Sequence, residues 1–501
     1  MRLVRVYQCA CLVALSAAAF AQNPASPIGV LPRFEKNVCP DQIAKEDKTE
    51  CGTLTVAENR SNPKTRAIHL PVVIFRSRAA TPPRDAVLFM VGGPGGSSVA
   101  NLHSSRDIIF IQDRDYVVLE QRGARRAEPF LDCPEITAPK IEINAGRLKG
   151  AEAASALADA ARACRNRLVS EGADLSGYTS AATAADIEDL RKALGYDKWD
   201  LYGISYSTRL MLTVARDYPD SVRSMLLDSV LPLEVNFDDV SAANMMRSLN
   251  LVFDRCAVTE ECVRDHGDVR SKFFDLVRQA DRSPLLLPIA AAEAGGKAAR
   301  IGGSEVVNAV YNGLHNPDTI PKLPGIIDEA SQSQYERLTE LVKQNLGAPA
   351  FSWGLRYSVW CSEEFPFEDR NAMAVQVSPE RGLGGINLGT LPPAVCDAWN
   401  VPPAPAKENQ PVTSGVPTLI FAGEFDPDTP PAWGQQLIGP LSHAYFVEFR
   451  GRSHTPGFFR CGQQVAAEFF RSPEKAPAMD CVLAMRGADF AHPPSSRKPE
   501  H

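Results

Sequence analysis

Short apolar runs alternate with stretches of helical periodicity along the first half of the chain. Residues 51–60 and 66–77 alternate apolar and polar side chains, which predicts an early antiparallel hairpin. Residues 85–91 and 115–123 are nearly continuous apolar runs that lead into glycines, a pattern typical of strands buried on both faces. The chain therefore begins with strands joined by tight turns.

Two helical patterns follow. In residues 183–195, Thr183 and Asp186 predict a capping box at the start of a helix, and Gly195 predicts its end. Residues 206–219 place their apolar side chains on one face at helical spacing. Strands are predicted beside these helices at 198–205 and 221–230.

This alternation of strands and helices predicts an α/β fold with a mostly parallel sheet. The alternation stops near residue 235 and resumes near residue 411, with two strands and a final helix. The intervening stretch is mainly helical in pattern, so we predict a helical cap inserted into the core. The expected divisions are core at 22–235, cap at 236–410, core at 411–490 and a disordered polar tail at 491–501.

The N-terminus has the pattern of a secretory signal peptide at residues 1–21. Arg2 and Arg5 precede a short apolar run, and residues 19–21 fit the small-residue cleavage rule. An uncleaved membrane anchor is the alternative, which the short apolar run disfavours. No later apolar run is long enough to span a bilayer. The net charge is −7 without a basic stripe, which argues against a nucleic-acid partner. We expect an exported protein, periplasmic or extracellular, and the sequence leaves its oligomeric state open.

Ten of the twelve cysteines follow the predicted signal peptide. An even number in an exported chain indicates disulfides, although sequence alone does not fix their connectivity. No zinc-type spacing such as C-x-x-C or H-E-x-x-H occurs, so we expect neither a metal nor a cofactor. Because the cysteines fall into local neighbours, we predict the pairs Cys39 with Cys51, Cys133 with Cys164, Cys256 with Cys262, Cys361 with Cys396, and Cys461 with Cys481.

Three residues that follow predicted strands form a candidate catalytic triad. Ser205 lies between a strand and a helix, as in a nucleophile elbow, with a helix N-cap as the alternative role. Asp426, with Asp428 as the second choice, would orient the base, or else cap a helix. His454 lies in a glycine-flanked loop after the next strand, where a surface histidine is the alternative. The order serine, aspartate, histidine is that of α/β hydrolases.

The oxyanion formed by such a serine needs backbone N–H donors. The residue after the nucleophile, Tyr206, should supply one of them. Gly93, with Gly92 as the second choice, should supply the other from the glycine-rich loop after the strand at 85–91. No G-K-[ST] follows these glycines, which excludes a P-loop.

The motifs VGGPGGSS, LEQRGARR, YGISYST, GEFDPDTP and GRSHT resemble the proline iminopeptidase and tripeptidyl aminopeptidase group of serine peptidases, over residues 39–481. The resemblance implies an α/β-hydrolase core with a helical cap, and release of residues from peptide N-termini. It implies Ser205 as nucleophile, Asp426 as orienting acid and His454 as base. Two positions depart from the pattern: Val91 replaces a histidine of the glycine loop, and Ser207 replaces the second glycine of the elbow.

An aminopeptidase needs a carboxylate for the substrate's free amine. The aromatic and acidic stretch at 356–369 offers Glu363 and Glu364, and the resemblance favours Glu363, whereas two solvated glutamates at a helix end are the alternative. We expect a peptide substrate. A small acyl substrate of an esterase or amidase is the second reading, and an inactive binding protein is the third.

Overall fold

The computed structural model of this protein describes residues 31–40, 43, 48–100, 102, 108–346, 351–371 and 390–494. The predicted signal peptide and residues 495–501 of the predicted tail lie outside the described residues. Within those ranges, none of the helices has both the length and the apolar character needed to cross a membrane.

A nine-stranded sheet forms the centre of the described structure, in the order β1-β2-β3-β5-β4-β6-β7-β8-β9. Strands β1, β2, β3 and β5 pair antiparallel, and all pairs from β5 to β9 are parallel. The predicted α/β fold with a mostly parallel sheet is confirmed. The strands are β1 (Arg33–Asn37), β2 (Thr49–Ala57), β3 (Ala67–Phe75), β4 (Ala86–Met90), β5 (Tyr116–Leu119), β6 (Trp199–Ile204), β7 (Val222–Asp228), β8 (Thr418–Gly423) and β9 (Ala444–Phe449).

Helices cover both faces of this sheet. Strands β4, β5 and β8 are buried along their whole length, which explains their unbroken apolar sequences. The helices in chain order are α1 (Thr137–Asn144), α2 (Gly150–Ser170), α3 (Ser180–Leu194), α4 (Tyr206–Asp217), α5 (Phe237–Ala257), α6 (Glu260–His266), α7 (Val269–Arg282), α8 (Gly303–Leu314), α9 (Leu323–Ser331), α10 (Glu336–Leu346), α11 (Trp353–Glu363), α12 (Pro393–Trp399), α13 (Pro431–Gln436), α14 (Arg460–Arg471) and α15 (Asp480–Leu483).

Helices α5 to α12 fall within the stretch predicted as a cap. Helices α5 to α10 pack their apolar side chains together in a cluster that takes in Phe425 and Phe490 from the rest of the chain. Helix α14 packs instead on the sheet, in the cluster that includes Phe89 and Phe421. Helices α5 to α10 therefore share an apolar core of their own, whereas α11 and α12 pack in the cluster that contains strand residues of the sheet.

Helix α3 begins earlier than the sequence pattern predicts. Thr179, not Thr183, is the N-cap, and its side chain accepts the N–H of Ala182. The predicted capping box is wrong because both carboxylate oxygens of Asp186 accept bonds from buried Arg122, at 2.7 Å each. The predicted end at Gly195 is correct, since this residue is left-handed at φ 73°.

The ten cysteines form five disulfides in the predicted order. The three with the longest sequence separations, 31, 35 and 20 residues, each involve at least one helix. Cys133 is bonded to Cys164 in α2, and Cys361 in α11 is bonded to Cys396 in α12. The bond from Cys461 closes the segment between α14 and α15.

Candidate active site

Ser205 occupies the tight turn between β6 and α4. Its backbone has φ 55° and ψ −130°, a strained conformation for a residue with a side chain. The turn leaves room only for glycine at two neighbouring positions. A Cβ on Gly203 would lie 2.6 Å from the carbonyl oxygen of Ser207, and a Cβ on Gly92 would lie 2.7 Å from Cβ of Ser205. The geometry is that of a nucleophile elbow.

Ser207 replaces a glycine without disturbing this turn. Its hydroxyl is fully buried, accepts the N–H of Ile204 at 2.8 Å and donates to the carbonyl of Met90 at 2.6 Å. The bond to Met90 joins the elbow to the end of β4, where the glycine loop begins. At the other departure from the motif, the Val91 N–H donates to Ser98 Oγ at 3.2 Å. The Ser207 side chain is thus accommodated by its own hydrogen bonds, whereas Val91 takes part only through its backbone N–H.

Replacing Ser207 with alanine should lower the free energy of unfolding by about 1–3 kcal/mol, because two buried backbone groups lose a partner. Denaturant unfolding measures the change. Thr213→Val is the matched control. Thr213 is equally buried in α4, but its hydroxyl donates to the backbone carbonyl of Arg209, which also accepts a backbone N–H within the helix. Equal losses in the two variants would contradict a special role for Ser207.

His454 and Asp426 form a close pair beside the elbow. Nδ1 of His454 lies 2.8 Å from Oδ2 of Asp426. The other oxygen of Asp426 accepts the N–H groups of Asp428 and Thr429, each at 2.9 Å, and the Thr429 hydroxyl donates to Oδ2 at 2.8 Å. Burial alone would raise the pKa of Asp426, but the charge of His454 and these bonds lower it. The carboxylate is therefore fixed and ionised.

The electrostatics of this pair favour the charged histidine. Burial would lower the pKa of His454, but Asp426, Asp428 and Asp228 outweigh it and raise the pKa to about 9. Burial raises the pKa of Asp228 itself to about 7. His454 can thus hold a proton taken from a nucleophile.

The loop that carries His454 is anchored by residues that sequence reasoning did not single out. The N–H of Thr455 donates to Ser229 Oγ at 2.8 Å, and the N–H of Gly457 donates to Asp228 at 2.9 Å. Asp228 ends β7, so its position at a strand end was the available signal. Helix α5 anchors the acid loop, since Arg247 donates to the carbonyl of Asp426 at 2.9 Å.

The two residues predicted to supply the oxyanion N–H donors, Gly93 and Tyr206, line one cavity. Ser205, Tyr206 and Gly93 all line it, and Tyr206 is the first residue of α4. Gly93 has φ 128°, and a Cβ there would lie 2.7 Å from the nitrogen of Gly95. Arg356 from α11 donates to the carbonyl of Gly93 at 2.6 Å, which links the helical stretch to the glycine loop.

The cavity has a volume of about 210 Å³ and an apolar side. Arg356 stacks on the ring of Trp360, with 3.4 Å from the guanidinium carbon to the ring centre. Among the lining residues that the structure describes, Asp428 is the sole carboxylate. The apolar side is formed by Leu231, Phe237, Phe351, Trp353 and Trp360.

Asp428 is held by two residues of the helical stretch. The hydroxyl of Tyr311 donates to one carboxylate oxygen, and Nε2 of His315 lies 2.9 Å from the other. Although burial would raise it, the pKa of Asp428 is lowered by the charge of His315. The ring of His315 lies 6.0 Å from the ring of His454. Asp428 was the second choice for the orienting acid, but Asp426 is the carboxylate bonded to His454.

Glu363 and Glu364 do not lie at the cavity, which corrects the amine-binding role predicted for them. Both are buried. Glu363 accepts the N–H of Ser180, the first residue of α3, and the hydroxyl of the same residue, both at 2.5 Å. Glu364 accepts the N–H of Phe237, the first residue of α5, at 2.9 Å, and forms an ion pair with Arg209. Each carboxylate thus accepts a backbone N–H at the start of a helix, where the helix itself offers no acceptor.

Comparison with known proteins finds sequence relatives of this chain. A family model described as alpha/beta hydrolase fold matches residues 85–460. The serine protease Hip1 of Mycobacterium tuberculosis (strain ATCC 25618 / H37Rv) is 21% identical over 440 residues, which cover 81% of this chain and 82% of that protein. The tripeptidyl aminopeptidase of Streptomyces coelicolor is 31% identical over 193 residues, 36% of this chain and 35% of that protein.

The chain was also compared with solved structures. A proline iminopeptidase from Mycobacterium smegmatis aligns with 84% of this chain and 98% of its own, at 14% identity and a TM-score of 0.36. The sequence matches confirm the resemblance to serine peptidases with an alpha/beta hydrolase fold.

Proposed function

We propose, since this chain belongs to the alpha/beta hydrolase fold family, that it is an exported serine peptidase of the aminopeptidase type. The observation that carries the proposal is the hydrogen bond between His454 and Asp426 beside a serine in a strained strand-to-helix turn. Ser205 and Thr429 line one cavity, and Thr429 bonds Asp426, the partner of His454. Such an arrangement fits acyl transfer.

In this mechanism Oγ of Ser205 attacks the carbonyl carbon of the scissile bond, and Nε2 of His454 takes its proton. Asp426 holds Nδ1 of the imidazole, which leaves Nε2 as the nitrogen that takes the proton in this mechanism. The N–H groups of Gly93 and Tyr206 stabilise the oxyanion. His454 then protonates the leaving amine, and a water molecule, activated by the same histidine, hydrolyses the acyl-enzyme.

The substrate is proposed to carry an apolar side chain next to the scissile bond, because aromatic residues form one side of the cavity. The aminopeptidase assignment is supported by the relative named as a tripeptidyl aminopeptidase. Export is supported by the five disulfides, which are typical of oxidising compartments. Fractionation of cells that express the full chain tests the localisation.

Peptide substrates that differ only in N-acetylation test the aminopeptidase assignment. We expect the free-amine form to be hydrolysed at least about tenfold faster in kcat/KM, the ratio that about 1.4 kcal/mol of transition-state binding gives. A fluorophosphonate label on Ser205 first establishes the serine mechanism. Equal rates for the two forms would contradict the aminopeptidase assignment while leaving a serine hydrolase.

An esterase or amidase that uses the same triad is the second candidate. It is favoured by one observation: the carboxylate among the described lining residues, Asp428, is already engaged by Tyr311 and His315. Ester substrates with apolar acyl groups belong in the same assay panel. Faster turnover of the esters, with no preference for a free amine, would select this candidate. The hydrogen bonds that hold the Ser207 hydroxyl within the intact turn weigh against an inactive binding protein.

A further inference from the structure

The contacts of His315 define its protonation state. Its Nδ1 lies 3.0 Å from the carbonyl oxygen of Tyr311, and its Nε2 lies 2.9 Å from a carboxylate oxygen of Asp428. Neither oxygen carries a hydrogen, because the first is a carbonyl and the carboxylate is ionised. Both ring nitrogens must therefore donate, which makes the ring an imidazolium.

Two further features stabilise this cation. His315 directly follows α8, at the negative end of that helix's dipole. Burial would lower the pKa of His315, but the charge of Asp428 and the hydrogen bond to it raise the pKa. The pair of His315 and Asp428 is thus a neutral unit made of two opposite charges.

This unit lies against the charged groups of the candidate active site. His454 is faced by Asp426 and Asp428 from the loop after β8, by Asp228 from the end of β7, and by His315 from the end of α8. Tyr311 bonds Asp428 from α8, and its pKa lies well above the usual value because of burial. The guanidinium groups nearby are Arg247, which acts electrostatically on Asp426, and Arg356, which acts on Tyr311.

We propose that protonated His315 balances the charge of Asp428 and thereby sets the pH at which His454 becomes a competent base. This inference rests on the proposed function, in which His454 must be neutral to accept the proton of Ser205. Without His315, the bare charge of Asp428 would add to that of Asp426 and hold the proton on His454. His315 is a tuning residue that acts through His454 and does not touch the substrate.

Opposite shifts in the pH profile are the expected signature. Activity rises with pH as His454 loses its proton, so the acidic limb of the wild-type profile should lie at about pH 9. His315→Gln removes the cation but retains an N–H donor for Asp428, and should move this limb upward by roughly one pH unit. Asp428→Asn removes the anion and should move it downward by a similar amount.

The measurement is the rate constant of inactivation by a fluorophosphonate, recorded as a function of pH. This probe carries no titrating group, so the profile reports on the enzyme alone. The double variant of His315→Gln and Asp428→Asn should return the limb close to its wild-type position. His266→Gln is the matched control, because His266 also faces a carboxylate, Asp328, at 3.5 Å, but neither of these two groups is among those that act on His454.

Two results would overturn the inference: an unmoved limb in His315→Gln, or limbs that move in the same direction in both single variants. Nuclear magnetic resonance titration of the histidine ring nitrogens, assigned with a His454→Gln variant, reads the same shifts without catalysis. Absence of labelling at Ser205 would count against the proposed function. Opposite shifts of the His454 titration would still support the charge balance in that case.

Discussion

Ser205→Ala should abolish hydrolysis, with a fall in kcat of at least about 10⁴-fold, because the triad residues act as a unit. Alanine removes only the hydroxyl and keeps the positive φ of the turn. The fold and the cavity should therefore persist. The measurement is single-turnover hydrolysis of the best substrate, with thermal unfolding as the check on structure.

Ser442→Ala is the matched control, since Ser442 is exposed and lies far in sequence from the elbow. It should hydrolyse the substrate at the wild-type rate. A Ser205→Ala protein that keeps a rate within tenfold of wild type would remove the nucleophile from the proposed mechanism. The N–H groups of Gly93 and Tyr206 would then be left without an oxyanion to stabilise.

The triad candidates could be located from the sequence because each follows an apolar strand. Parallel strands bring their carboxyl ends to one edge of the sheet, so Ser205 after β6 and Asp426 after β8 were expected near each other. The glycines at 92, 93 and 203 marked the close approaches that the structure contains. At these positions the apolar pattern and the type of residue both point to the end of a strand, since strand ends are defined by local sequence.

Residues that act through partners far along the chain could not be located in this way. His315 meets Asp428 across 113 residues, and Glu363 meets Ser180 across 183. Nothing near any of these residues in sequence indicates the partner. The start of α3 was misplaced for the same reason: Asp186 has the right spacing for a capping box, but it pairs with Arg122, 64 residues away.

Helix α2 was not predicted because its sequence is rich in alanine. Its buried residues are mostly small, with only Leu157 and Leu168 as large apolar anchors among them. A weak apolar stripe of this kind does not stand out from the surrounding loops. Tertiary contacts determine the position of this helix, since Cys164 ties it to Cys133 and α12 packs along it.

Glu364→Gln should destabilise the fold and leave the recognition of substrate unchanged. Glu364 is 0% exposed and its partner Arg209, in the elbow helix α4, is 1% exposed. Burial lowers the pKa of Arg209, although the charge of Glu363 opposes this shift, so the guanidinium is sensitive to the loss of a neighbouring carboxylate. Removing one member of a buried ion pair leaves the other uncompensated. We expect the free energy of unfolding to fall by about 3–5 kcal/mol.

The outcome distinguishes a structural carboxylate from an amine-binding one. Thermal and denaturant unfolding should show the loss, while the ratio of rates for free-amine and acetylated substrates stays at its wild-type value in the remaining folded protein. Asp275→Asn is the control, because its pair with Arg278 is exposed and should contribute nothing measurable. A double variant that replaces Arg209 with Met and Glu364 with Leu should recover part of the loss, since no unpaired charge is then buried. If Glu364→Gln left the stability unchanged but reduced the preference for a free amine, the carboxylate would bind substrate, and the helix-capping role assigned to it would be wrong.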